Sequence, residues 1–114
     1  MSTYDTFLDP ATGEKHQSKA FGRGLRTYRP GDTVTPQRSP LSEDEYAEDR
    51  AGRWDSAIPG LEVVTCQVRI KHADGERYID VADGIFTGIS ATRDPALPLI
   101  DHYGQLVDEA APTR

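Results

Sequence analysis

Residues 61–90 read LEVVTCQVRIKHADGERYIDVADGIFTGIS, and the alternation within them decides the fold. Val64, Cys66, Val68 and Ile70 alternate with Thr65, Gln67, Arg69 and Lys71. A period of two marks a strand with one buried face and one wet face. Asp74 and Gly75 follow, and Asp-Gly favours a two-residue type I′ turn because both central positions take positive φ. A turn there predicts Ile70 opposite Ile79 and Val68 opposite Val81 on the buried side, with Arg69 opposite Asp80 on the wet side. Cys66 then faces Asp83. A slip of one residue would carry every apolar side chain to solvent. A second Asp-Gly pair, Asp83 and Gly84, precedes Ile85–Ile89, which predicts a third strand or a bulged continuation of the second.

Toward the N-terminus a weaker hairpin is expected. Tyr4–Leu8 is β-prone, residues 9–13 (DPATG) are dense in turn formers, and Lys15–Ala20 returns. Gly24–Tyr28 is a further short strand, ended by Pro30 and Gly31. Residues 35–60 form a charged, proline-rich excursion. In it, Ser42 and Glu45 have the spacing of a capping box, which opens a short helix reaching about Arg50. The tail, residues 91–114, has an apolar spacing that permits a short helix from Pro98, or a segment covering a sheet edge.

The expected fold is therefore mainly β: one domain over 1–114, a small antiparallel sheet built from hairpins. It has its core hairpin at 61–90, a helical or loop excursion at 35–60 and a C-terminal extension. Phe7, Leu25, Val64, Cys66, Val68, Ile70, Ile79, Val81, Phe86 and Ile89 form the expected core.

Composition narrows the function classes. The chain has 114 residues, 36% of them apolar, with 8 prolines and 10 glycines, which suits a small core with much loop. No apolar run approaches the roughly 20 residues that span a bilayer. The opening MSTYDTFLDPATGEKHQ lacks the basic start and apolar run of a secretory leader. A single cysteine, Cys66, makes no intrachain disulfide, so a cytoplasmic location is expected. The net charge of −6 disfavours a polyanion binder. The charge is uneven, however: Lys15–Arg38 holds six cations (Lys15, Lys19, Arg23, Arg26, Arg29, Arg38) against one anion, Asp32. Such an arm either lies against the chain's own acidic surface or binds an anion or a nucleic acid.

Candidate chemistry is sparse. His16, His72 and His102 with Cys66 have none of the short ligand spacings of a metal site, so no metal and no cofactor is expected. Cys66 stands mid-strand on the inner face, where a cysteine behaves as a small hydrophobe rather than a nucleophile. No phosphate loop is present, and the carboxylates of Glu43–Asp49 are spaced for a solvated helix face. No catalytic residue is expected.

Two stretches resemble the opening of small uncharacterised proteins of bacteria and phages. They are Tyr4–Phe7 with Gln17–Lys19, and Leu25–Asp32 (LRTYRPGD). Those proteins read F-D-x-[VF], a C-P-x-C-G zinc knuckle, Q-S-K and L-x-x-[YF]-x-x-G-D, and they often end on a segment similar to Ile79–Ile89. Here Asp9 and Thr12 stand where the knuckle has thiolates, while Pro10 and Gly13 keep the turn. The resemblance implies a relative that retains the turn without the metal, and it carries no activity over.

A non-catalytic interaction or accessory protein with a protein partner is the leading expectation. Its candidate surface is Arg26, Tyr28, Arg29 and Trp54, chosen because Trp and Arg anchor interfaces. Anion or nucleic-acid binding through residues 15–38 is the alternative, and a small enzyme comes third.

Overall fold

The computed structural model describes residues 4–58, 65–72 and 75–107. It is mainly β, with two sheets and one short helix. Strand β1 (Asp5–Leu8) pairs antiparallel with β2 (Lys15–Ser18) and parallel with β3 (Thr27–Tyr28), giving the order β2-β1-β3. The second sheet has the order β6-β5-β4-β7-β8. Its members are β4 (Cys66–His72), β5 (Gly75–Ala82), β6 (Ile85–Ser90), β7 (Leu99–Ile100) and β8 (Leu106–Val107).

The hairpin forms as alternation demands, but its register differs from the expected one by two residues. Val68 faces Ile79, Cys66 faces Val81 rather than Asp83, and Arg69 faces Tyr78 rather than Asp80. A two-residue shift leaves every side chain on its face, so the alternating pattern is blind to it. The observed register gains a partly buried polar pair: Gln67 Nε2 donates to Asp80 Oδ1 at 2.9 Å. Arg69 finds Glu76 on the diagonal at 3.4 Å.

The second Asp-Gly pair closes a two-residue turn between Ala82 and Ile85, with φ of 52° at Asp83 and 78° at Gly84. Positive φ at both positions is the type I′ requirement. Ile85–Ser90 is thus a third strand. The bulge lies further along, where Asp80 pairs with Gly88 but Val81 with Phe86, leaving Thr87 as the extra residue.

Both flanks of the three-stranded hairpin unit are covered. Along β6, Gly31 N donates to Phe86 O at 2.8 Å, Phe86 N to Asp32 O at 2.9 Å, and Val34 N to Gly84 O at 2.8 Å. Along β4, the chain crosses to lay β7 parallel to it, and β8 folds back on β7. The tail is therefore strand rather than the helix permitted from Pro98. Leu99 and Ile100 are consecutive and both buried, a pattern that suits a strand covered on both faces. The crossing is organised by Gln67, which the alternation put on the wet face and which is 2% exposed. Its Oε1 accepts from Asp94 N at 2.7 Å and Arg93 Nη1 at 3.0 Å, and its Nε2 also donates to Thr92 O at 3.2 Å. The crossing loop roofs that end of the outer face, which no local pattern announces.

Helix α1 (Glu43–Arg50) starts at the expected capping box. Ser42 Oγ accepts from Glu45 N, and Glu45 Oε1 accepts from Ser42 N, each at 3.2 Å. The helix buries none of its residues. It is tethered by the Arg23–Asp49 ion pair at 3.3 Å.

One apolar cluster joins the two sheets. Phe7 is its centre, with ring centroids 4.6 Å from Phe21, 5.1 Å from Tyr28 and 5.1 Å from Phe86. Of the expected core, Phe7, Cys66, Val68, Ile70, Ile79, Val81 and Phe86 are buried and Ile89 packs against them. Val64 lies outside the described residues. Leu25 departs from expectation at 63% exposure. Its backbone has φ of 56°, so the strand expected over Gly24–Tyr28 shrinks to Thr27–Tyr28.

Candidate functional site

The turn out of β2 leads into residues 21–28, which are held by the Asp5 side chain and by two backbone bonds, Leu25 N to Tyr4 O at 2.9 Å and Thr6 N to Arg26 O at 2.8 Å. Alternation along β1 points Asp5 inward with Phe7, and Asp5 is fully buried. Its carboxylate accepts from three backbone N–H groups, Arg23 on Oδ2 and Gly24 and Arg26 on Oδ1, each at 3.0 Å. Gathering three amides on one carboxylate forces the chain into a tight curl, with Arg23 and Leu25 both at φ 56°. Leu25 is thrown outward, and Arg26 and Tyr28 are set beside a hollow.

That hollow has a volume of about 330 Å³. Phe21 and Tyr28 provide its aromatic lining, Val34 and Gln37 also border it, and its charged groups are Arg26 and the amide-bound carboxylate of Asp5. Tyr28 is half-buried and stacks on Phe7, while Arg26 is exposed. Among the described residues, Arg26 has no ion-pair partner. Strand β3 is the outer strand of its sheet and stands next to this hollow.

Two of the four expected surface residues thus come together, and two stand apart. Arg29 is exposed on the turn that Asp32 closes by accepting Arg29 N at 2.8 Å. Trp54 closes the excursion on itself. The guanidinium of Arg38 lies 4.3 Å over its ring, and its Nε1 donates to Arg38 O at 3.2 Å. Arg38 in turn donates through Nη2 to Asp55 O at 2.5 Å and through Nε to Ala57 O at 3.0 Å. The basic arm divides similarly. Arg23 is paired with Asp49, Arg38 covers Trp54, and Lys19 lies 5.6 Å over the Tyr103 ring. Lys15, Arg26 and Arg29 have no ion pair among the described residues.

A second grouping escaped the sequence spacing altogether. Glu14, His16 and His72 each bring one donor atom within 4.8 Å of the others'. Glu14 and His16 share parity at the start of β2, and His72 arrives from the far end of β4. Glu14 Oε2 and His72 Nε2 are 2.9 Å apart, and the rings of His16 and His72 are 5.5 Å apart. The hydrogen bond with His72 holds the Glu14 carboxyl below its ordinary value of 4.5. The available signal was the Glu14-x-His16 step, two donors on one strand face; the third ligand comes 56 positions after His16, beyond any local motif.

Cys66 is sealed in the core, and burial pushes its thiol up to about 12, the environment of an inert structural cysteine. Among the described residues, no helix is long and apolar enough to cross a membrane. No protein-family model, curated protein or solved structure matches this chain.

Proposed function

We propose that the chain is a non-catalytic binding module that takes an extended, carboxylate-bearing segment of a protein partner in the hollow beside β3. The observation that carries this reading is Arg26, a cation without an ion-pair partner among the described residues, set beside the aromatic lining of Phe21 and Tyr28. Arg forms bidentate pairs with carboxylates, and an outer strand offers backbone groups to an added one. Arg29 and Trp54 receive no contact with the partner in this reading. A cytosolic location goes with it, supported by the lone cysteine held as a free thiol in the core.

The test is selection from a random-peptide library, followed by affinity measurements on Arg26→Ala and Tyr28→Ala. Acidic peptides should be enriched, and each substitution should weaken them at least about tenfold, the loss of one charge-assisted bond or buried ring. Peptides without acidic residues, or peptides indifferent to both substitutions, would remove the proposal.

Nucleic-acid binding is the second reading, and three cations without ion pairs, Lys15, Arg26 and Arg29, speak for it. On a single strand, counterion release by three cations then limits the salt dependence of log K to a slope of about −2. Anisotropy with a single-stranded oligonucleotide between low and physiological salt distinguishes the readings. Saturable binding that falls along this slope would favour nucleic acid; no saturable binding leaves the peptide reading in place.

A further inference from the structure

We propose that Glu14, His16 and His72 bind a zinc-class divalent cation that clamps the N-terminal sheet to the hairpin sheet. The 2.9 Å hydrogen bond between Glu14 and His72 accounts for two of these groups and leaves the third unexplained. His16 is 7% exposed, and its Nε2 is enclosed with no hydrogen-bond partner among the described residues. A buried, unmatched polar nitrogen is costly, and native chains rarely tolerate one without a ligand or water. A cation shared by all three residues supplies the missing partner and keeps the carboxylate and His72 engaged.

The donor set names the class of ion. Two imidazoles and one carboxylate form the three-ligand set of zinc sites that keep a position open to water. Calcium and magnesium take oxygen ligands and are poorly served by two imidazoles. Ligand atoms of a tetrahedral zinc stand about 3.3 Å apart, given bonds of about 2.0–2.2 Å. The three donor atoms lie within 4.8 Å of one another, and the exposed Glu14 carboxylate has room to turn toward an ion held by the two imidazoles. His16 also borders a hollow of about 510 Å³ lined by Lys15, Gln17, Lys71, His102 and Tyr103. Because β2 and β4 belong to different sheets, the ion would cross-link the two halves of the fold. Sealed Cys66 is removed from competition for it.

The experiment uses the untagged full chain at pH 7.5, titrated with Co²⁺ by visible absorption and with Zn²⁺ by calorimetry and thermal unfolding. One ion per chain should bind, with the intense visible bands of a four-coordinate cobalt site. Zn²⁺ at a hundredfold excess over Kd should raise Tm by at least about 10 °C, by mass action on the folded state. Glu14→Gln and His72→Gln should each weaken binding at least about tenfold, and His102→Gln should leave it unchanged. His16→Gln removes a buried ring; if that variant fails to fold, Glu14→Gln and His72→Gln decide alone. Absence of binding up to millimolar metal overturns the proposal. So does binding that survives Glu14→Gln and His72→Gln, or that His102→Gln abolishes.

Discussion

Replacing Asp5 should unmake the curl that presents Arg26. Its carboxylate is fully buried and accepts three backbone N–H groups at 3.0 Å each. In Asp5→Ala all three donors lose their acceptor, at about 1–3 kcal/mol apiece when water cannot replace it. The adjoining hollow of about 330 Å³ admits water, so the lower end of that range applies. The expected loss is about 3–4 kcal/mol, a large part of the 5–15 kcal/mol that holds a typical domain. Asp5→Asn is the informative companion. It keeps one acceptor oxygen for Gly24 and Arg26 and turns an amide donor toward Arg23 N–H, so about 1–2 kcal/mol should be lost. Urea unfolding followed by far-ultraviolet circular dichroism measures both. A loss under about 1 kcal/mol for Asp5→Ala would refute the role given to the carboxylate. Equal losses for both variants would show that charge, rather than the number of acceptors, holds the curl.

Three further outcomes follow from the geometry. Gly104→Ala places a Cβ 1.9 Å from Gln37 O at a residue with φ of 88°, so backbone must move; a loss of about 2–5 kcal/mol is expected in the same urea assay. Cys66 should resist iodoacetamide at pH 7.5 in the native chain and react in urea, and rapid native labelling would contradict its burial. His102 is held below its ordinary 6.5 by burial first and by the Lys19 charge next. The unfolded chain therefore takes up this proton at a higher pH than the folded one. The stability contribution is complete above pH 6.5 and is lost as pH falls toward the folded value. Tm should decline on acidification below pH 6.5, and His102→Gln should flatten that decline; a Tm that rises there would reverse the sign.

Much of the fold was legible because it rests on local patterns. Alternation from Cys66 to Ile70 gave a strand and its faces, Asp83 and Gly84 gave a turn, and Ser42 with Glu45 gave the start of the helix. The misses share a physical cause in long-range contacts. The hairpin register turns on the Gln67–Asp80 bond and on the crossing loop that covers Gln67. Leu25 looked like core until Asp5, twenty positions earlier, captured the amides around it. The tail reads equally as helix or strand, and it is the free edge of β4 that selects strand. The candidate site was half legible: aromatic and Arg content picked out Arg26 and Tyr28, which do share a hollow. Trp54 drew notice for the same reason, yet its ring is covered by Arg38 from sixteen positions away. Glu14, His16 and His72 were invisible as a group because β2 and β4 meet only in the folded chain.

The most direct test of the binding-module reading is amide chemical-shift mapping of the folded chain with an acidic peptide selected on it. The account predicts perturbations concentrated at residues 21–28 and 33–37 and lost in Arg26→Ala. Perturbations centred instead on Trp54, or on the Gln67–Asp80 end of the hairpin sheet, would contradict it.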